Sequence, residues 1–141
     1  MCGIAGLMTI DGTSPSDEVL DAFARCLAHR GPDGQGRFRD KNVALVQTRL
    51  AIIDLETGDQ PIVGPDGNVI SANGEIYNFV ELRAALPDVA MKTASDCEPP
   101  LHLYGRKGLA FVDDLRGMFA ISIYDAERGR LVLSRDPFGI K

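Results

Sequence analysis

A chain of 141 residues, 45% apolar and 25% charged, has the size and composition of one folded domain and not of a disordered segment. Its 15 basic and 20 acidic side chains leave a formal net charge of −5 without any Lys/Arg run, which argues against a nucleic-acid partner. No apolar stretch is long enough to span a bilayer, and no basic segment precedes an apolar one at the N-terminus, so neither a membrane anchor nor a signal peptide is expected.

In chain order, segment 3–10 is small and apolar and stops at Asp11-Gly12, which reads as a buried strand closed by a turn. Ser16, followed by Asp17 and Glu18, marks a helix start with acidic residues placed to meet the helix dipole. Val19, Leu20, Phe23, Cys26 and Leu27 recur at helical spacing and predict one apolar face, with the helix fading near His29. The run 43–54 (VALVQTRLAIID) predicts strand, and Gly64-Pro65-Asp66-Gly67 predicts a turn leading into strand at 68–72. Segment 79–86 has helical spacing ahead of Pro87, and the spacing of Ser95 and Glu98 predicts a capped helix from there to about Lys107. Segments 117–124 and 131–134, joined through 126–129, predict a hairpin. Strands in runs with two or three helices between them favour an α+β fold with largely antiparallel sheet. The chain stops soon after its last predicted strand, without a closing helix, as a fragment of a longer protein would.

Three cysteines, Cys2, Cys26 and Cys97, are too few and too odd for a secreted disulfide framework, so a reduced, cytoplasmic protein is expected. Cys26 is expected to pack in the helix core, and Cys97, beside Asp96, is placed near the site without an assigned role. Cys2 directly follows the initiator methionine and is small enough to allow its removal. A cysteine with a free α-amine carries its own base, because the amine titrates near pH 7.7–8.0 and the thiol near 8.5 in model peptides. The same residue is also an ordinary start for a buried strand. Asn73-Gly74 reads locally as the tip of a hairpin, and alternatively as two donors aimed at an oxyanion. Arg49, inside an apolar run, either points to solvent or forms a planar clamp for a carboxylate. Asp96 either decorates a helix start or fixes a substrate ammonium. His29 and His102 stand at no recognised metal-ligand spacing, and no phosphate-binding glycine loop occurs.

Taken together, MCGIAG (1–6), HRGPDG (29–34), RLAIIDL (49–55), QP (60–61), NGEIYN (73–78), SDCE (95–98), DDLRGMFAISIYD (113–125) and SRDPFGIK (134–141) resemble the class II glutamine amidotransferase domain of asparagine synthetases. That family consists of N-terminal-nucleophile hydrolases. The resemblance implies an α+β, four-layer αββα sandwich of two mainly antiparallel sheets. It also implies that 1–141 is a glutaminase domain incomplete at its C-terminus and lacking the synthetase domain. Carried over by position, Cys2 would be the nucleophile with its α-amine as base, and Asn73 and Gly74 would form the oxyanion hole. Arg49 would clamp the glutamine α-carboxylate, Leu50, Ala51, Ile52 and Ile53 would line that side, and Glu75 and Asp96 would bind the ammonium end. HRGPDG would supply a supporting loop. No cofactor or metal is implied for this chain, and ATP and Mg are implied only for the absent synthetase domain. Ammonia released from glutamine would pass to that domain, in cis or in trans, for asparagine synthesis from aspartate. Two other readings stay open: a non-catalytic docking remnant, and the glutaminase domain of another amide-forming synthetase.

Overall fold

The computed structural model describes residues 2–141. Strands β1 (Gly3–Met8), β2 (Gly34–Asp40) and β3 (Val43–Arg49) form one antiparallel sheet in the order β1-β3-β2. Strands β4 (Ile62–Val63), β5 (Val69–Ile76), β6 (Gly117–Asp125) and β7 (Arg130–Arg135) form a second, in the order β4-β5-β6-β7. Helices α1 (Asp17–Leu27), α2 (Phe79–Ala84) and α3 (Pro99–Lys107) lie between runs of strands.

Period-two alternation sets the layers. Along β3, Val43 and Leu45 meet Val69 and Tyr124 of the other sheet, while Ala44 and Val46 pack beneath Leu20 and Ala24 of α1. On the second sheet, Ile70, Ala72, Ile121 and Ile123 pack outward against Leu101, Leu103 and Tyr104 of α3 and against Phe111. The order is helix, sheet, sheet, helix, as the resemblance implies. The inter-sheet layer is apolar at the Leu45 end and polar toward Arg49, and the polar end opens into a cleft.

Several local expectations are corrected. The predicted strand 43–54 ends at Arg49, because Leu50 turns its backbone to Cys2 Sγ and Asp54 adopts a positive φ of 53°. Strand β2, polar and glycine-rich, carries too weak a pattern to be predicted, and it is held by pairing along the whole of β3. Asn73-Gly74 is no hairpin tip: the pair sits inside β5, opposite Ala120 and Phe119. Glycine is required there by close approach, since a Cβ at position 74 would lie 2.2 Å from the Met118 carbonyl oxygen. Helix α3 starts at Pro99 and not at Ser95, because the Glu98 carboxylate accepts from Lys92 N and Thr93 N and so closes the preceding loop instead of capping a helix. Prolines in that first turn lose no intrahelical bond. Helix α2 ends at Ala84, short of Leu86. Cys26 is exposed, since Leu20, Phe23 and Ala24 form the packed face of α1. Among the described residues no helix is long and apolar enough to cross a membrane.

Candidate functional site

The cleft is a cavity of about 120 Å³ at the open polar end of the inter-sheet layer. Cys2, Arg49, Leu50, Ile52, Ile53, Asn73, Gly74, Glu75 and Asp96 all line it. Of the residues expected at a site, Ala51 alone stands outside this lining, and its backbone N–H is taken by Asp33 Oδ2 at 2.9 Å.

Cys2 reaches the cavity from the start of β1. The β1–β3 register runs Gly3 opposite Thr48, so the next pair outward sets Cys2 beside Arg49 on the inter-sheet face. Its sulfur is cradled by one residue: Leu50 N donates to Cys2 Sγ at 3.4 Å, and the thiol points at Leu50 O at 3.6 Å. The 29–34 loop straps this corner. Arg30 Nε donates to Cys2 O at 3.2 Å, and Asp33 N donates to Arg49 O at 2.9 Å. Gly31 lies flat on β3, where a Cβ would come within 2.2 Å of the Thr48 carbonyl carbon. The HRGPDG motif therefore positions the nucleophile candidate through backbone contacts.

Asn73 and Gly74 come from the opposite wall. Phe119, the partner of Gly74, directs both its N–H and its C=O toward Asp136, on the β7 side. Gly74 and Phe119 are thus a non-hydrogen-bonded pair, and Gly74 N points to the other edge of β5. That edge is covered by β4 only as far as Ile70. Beyond it, side chains cap alternate amides: Gln60 Oε1 accepts from Ala72 N at 2.6 Å, and Asp96 Oδ2 accepts from Ile76 N at 2.7 Å. Gly74 N lies between them, and among the described residues no side chain caps it. The Asn73 carboxamide, on the inter-sheet face, likewise makes no hydrogen bond to another described residue. Two donors from consecutive residues are left available to a ligand in the cavity, which is the arrangement an oxyanion requires.

The cavity lining carries charges of both signs. The Arg49 side chain is nearly buried; Nη1 donates to Asp59 Oδ1 at 2.8 Å, and Nη2 donates to the carbonyl oxygens of Ile53 and Asp54. Gly58 makes room for that guanidinium, since a Cβ there would lie 2.7 Å from Nη2. The negative groups of the lining are Glu75 and Asp96. Burial pushes the Asp96 carboxyl above its ordinary range, the Ile76 amide opposes this, and the nearby Glu75 charge adds to the upward shift. Two carboxylates in one partly desolvated corner form a seat for a cation. Cys97 Sγ–H is directed at Asp96 Oδ1 at 3.7 Å, and burial raises that thiol well above its ordinary range, so it stays protonated and unreactive.

The reading from sequence did not assign Gln47, Gly58, Gln60, Ala72, Ser95, Met118 and Lys141 to the cavity, and Cys97, placed near the site without a role, lines it too. Gln60 had one signal available, an amide beside a proline in a loop; Gln47 had another, a carboxamide in an otherwise apolar strand. His102 Nε2 instead meets Glu98 Oε1 within α3 at 3.2 Å, and among the described residues no metal-binding cluster assembles.

A family model described as a glutamine amidotransferase domain matches residues 1–141. Asparagine synthetase [glutamine-hydrolyzing] 2 of Bacillus subtilis (strain 168) is 43% identical over 145 residues, covering 100% of this chain and 19% of its own length. Asparagine synthetase B [glutamine-hydrolyzing] of Escherichia coli (strain K12) is 41% identical over 144 residues, covering 99% of this chain and 26% of its own. Asparagine synthetase [glutamine-hydrolyzing] of Asparagus officinalis is 43% identical over 142 residues, covering 99% and 24%. The chain spans about a fifth to a quarter of the length of these curated relatives.

Proposed function

The chain belongs to the glutamine amidotransferase domain family, and from that premise we propose that it hydrolyses glutamine to glutamate and ammonia through a thioester on Cys2. The observation that carries this reading is the set of groups gathered in one cavity. A cysteine sulfur, two open donors, a guanidinium and two carboxylates line one small cavity. An α-amino acid with a side-chain amide is a ligand of that pattern. Its α-carboxylate pairs with Arg49, its α-ammonium with Glu75 and Asp96, and its amide carbon reaches Cys2 Sγ. Leu50, Ile52 and Ile53 exclude water along the aliphatic part.

With Met1 removed, the Cys2 α-amine takes the thiol proton, and the thiolate adds to the amide carbon. The oxyanion is held by the Asn73 carboxamide and Gly74 N. The protonated amine returns its proton to the amide nitrogen, the C–N bond breaks, and ammonia leaves. Water then adds to the thioester, the C–S bond breaks, and glutamate is released. Ammonia would serve an ATP-dependent synthetase portion, which for the relatives named above makes asparagine the product. No cofactor is needed for the glutamine half-reaction, and ATP and Mg belong to the synthetase half. The test is N-terminal mass determination combined with glutamate release. Chain beginning at Cys2 releases glutamate, whereas Cys2→Ala and chain retaining Met1 do not. Equal release from Cys2→Ala overturns the proposal.

A further inference from the structure

Gln47 has the environment of a core residue and the chemistry of a site residue. It follows Val43 and Leu45 on the inter-sheet face of β3 and precedes Arg49 on that face. It is 1% exposed, yet it lines the cavity, and its Nε2 has no hydrogen-bond partner. In the β1–β3 register Ile4 stands opposite Gln47, so Cys2, two residues earlier, is the diagonal neighbour of Gln47 on the same face. Diagonal neighbours are within reach of a long side chain. In the second sheet, Ser71 Oγ is also buried without a partner, between Val69 and Asn73 on the inter-sheet face of β5. The layer next to Val43 and Leu45 could have continued apolar. Instead it holds open polar groups, Gln47 among them beside Cys2, and buried polar groups are nearly always satisfied by protein, water or ligand.

The two walls of the cavity divide the substituents of a tetrahedral adduct on Cys2. The oxyanion faces β5, where Asn73 and Gly74 N supply donors. The amine substituent then faces β3, where Gln47 supplies the unpartnered N–H. We propose that Gln47 is a positioning residue for the small molecule exchanged at that place. Once the C–N bond has broken and ammonia has left, the Gln47 Nε2–H donates to the oxygen of the water that takes that place. That water is held against the thioester carbon with its protons free. One proton passes to the Cys2 α-amine as the C–O bond forms; the C–S bond then breaks, and the proton returns to sulfur. The products are the free γ-carboxylic acid and the Cys2 thiol. This inference rests on the Cys2 thioester reading above.

The test is steady-state turnover with intact-mass quantification of the γ-glutamyl–Cys2 adduct, using chain that begins at Cys2. Gln47→Met and Gln47→Leu remove the N–H donor and keep an apolar filler. They are expected to lower kcat by about 10- to 100-fold, the scale of a misplaced reacting group. KM falls in parallel, kcat/KM is retained, and the adduct accumulates. Hydroxylamine, which attacks thioesters without being positioned, restores release of the acyl group as a hydroxamate. Gln47→His, which returns an N–H donor, restores most of kcat. Unchanged kcat in both apolar variants overturns the inference and leaves the thioester reading standing. Equal loss of kcat and kcat/KM without adduct overturns it too. Absence of both adduct and glutamate from the native chain refutes the thioester reading, and this inference with it.

Discussion

Asn73→Ala separates catalysis from folding at one residue. Asn73 is 8% exposed, and its side chain, on the inter-sheet face, makes no hydrogen bond to another described residue. Its backbone stays in the β5–β6 ladder opposite Ala120 whatever the side chain. Truncation therefore removes no internal hydrogen bond, and the space it opens joins a cavity already open to solvent. The stability cost should stay below about 1 kcal/mol, or roughly 3 °C in Tm for a chain of this size. The rate cost is of another order. Losing one of two oxyanion donors typically lowers kcat by about 100- to 1000-fold, or roughly 2.7–4 kcal/mol of transition-state stabilisation. Ground-state binding through Arg49 and the two carboxylates is untouched, so KM for glutamine should change by less than about threefold. Initial-rate glutamate release, measured beside a thermal melt of each protein, reads both quantities. A variant that keeps kcat within a few-fold of the parent would refute the oxyanion assignment. One that melts many degrees lower would refute the claim that this side chain is idle in the fold.

Further outcomes follow from the charged groups of the cavity. Asp59 is 84% exposed at its side chain and holds Arg49 Nη1 at 2.8 Å, a seat that a substrate carboxylate would compete for. Asp59→Asn should lower KM for glutamine by up to roughly fivefold at constant kcat, the range of an exposed ion pair; a higher KM would mean that Asp59 holds the guanidinium in place for substrate. For Asp96 the shift is upward, so the folded protein binds the proton more tightly than the unfolded chain. Native stability thus falls as pH rises through the window between the ordinary value and the raised one. Asp96→Asn keeps an acceptor for Ile76 N and removes that penalty. It should melt higher than the parent at neutral pH, with the advantage vanishing on the acid side of the window, while KM for glutamine rises about 10- to 100-fold. In the parent, KM should climb as pH falls through the raised value, and a KM flat across that range would exclude Asp96 from ammonium binding.

Local pattern carried the elements whose signal is chemical and short-ranged. The hairpin 117–135 has alternating apolar residues around a turn with Gly129 at a positive φ of 57°, and α1 has its acidic first turn and single apolar face. Where the determinant is another part of the chain, local reading failed. Asn73-Gly74 has the composition of a turn, yet pairing with β6 on one side and capping by Gln60 and Asp96 on the other hold it extended. Position 98 has the spacing of a capping box, but its carboxylate is drawn back to the Lys92 and Thr93 amides. The run 50–54 is apolar enough for a strand, and it leaves the sheet because Cys2, Asp33 and Arg49 take its backbone groups.

The sequence by itself determined the chemical cast: a cysteine beside the initiator, an arginine in an apolar run, an Asn-Gly pair and an acidic corner, in an order specific enough to assign a family. Tertiary structure alone decided which of their atoms are available. Gly74 N is open because β4 stops at Ile70 and Gln60 and Asp96 occupy the amides on either side. Ala51 is withdrawn, with its N–H claimed by Asp33, and Gln47 lines the cavity because alternation along β3 turns it inward beside Cys2. Residue identity is a property of the chain, whereas an unpaired donor is a property of everything folded around it.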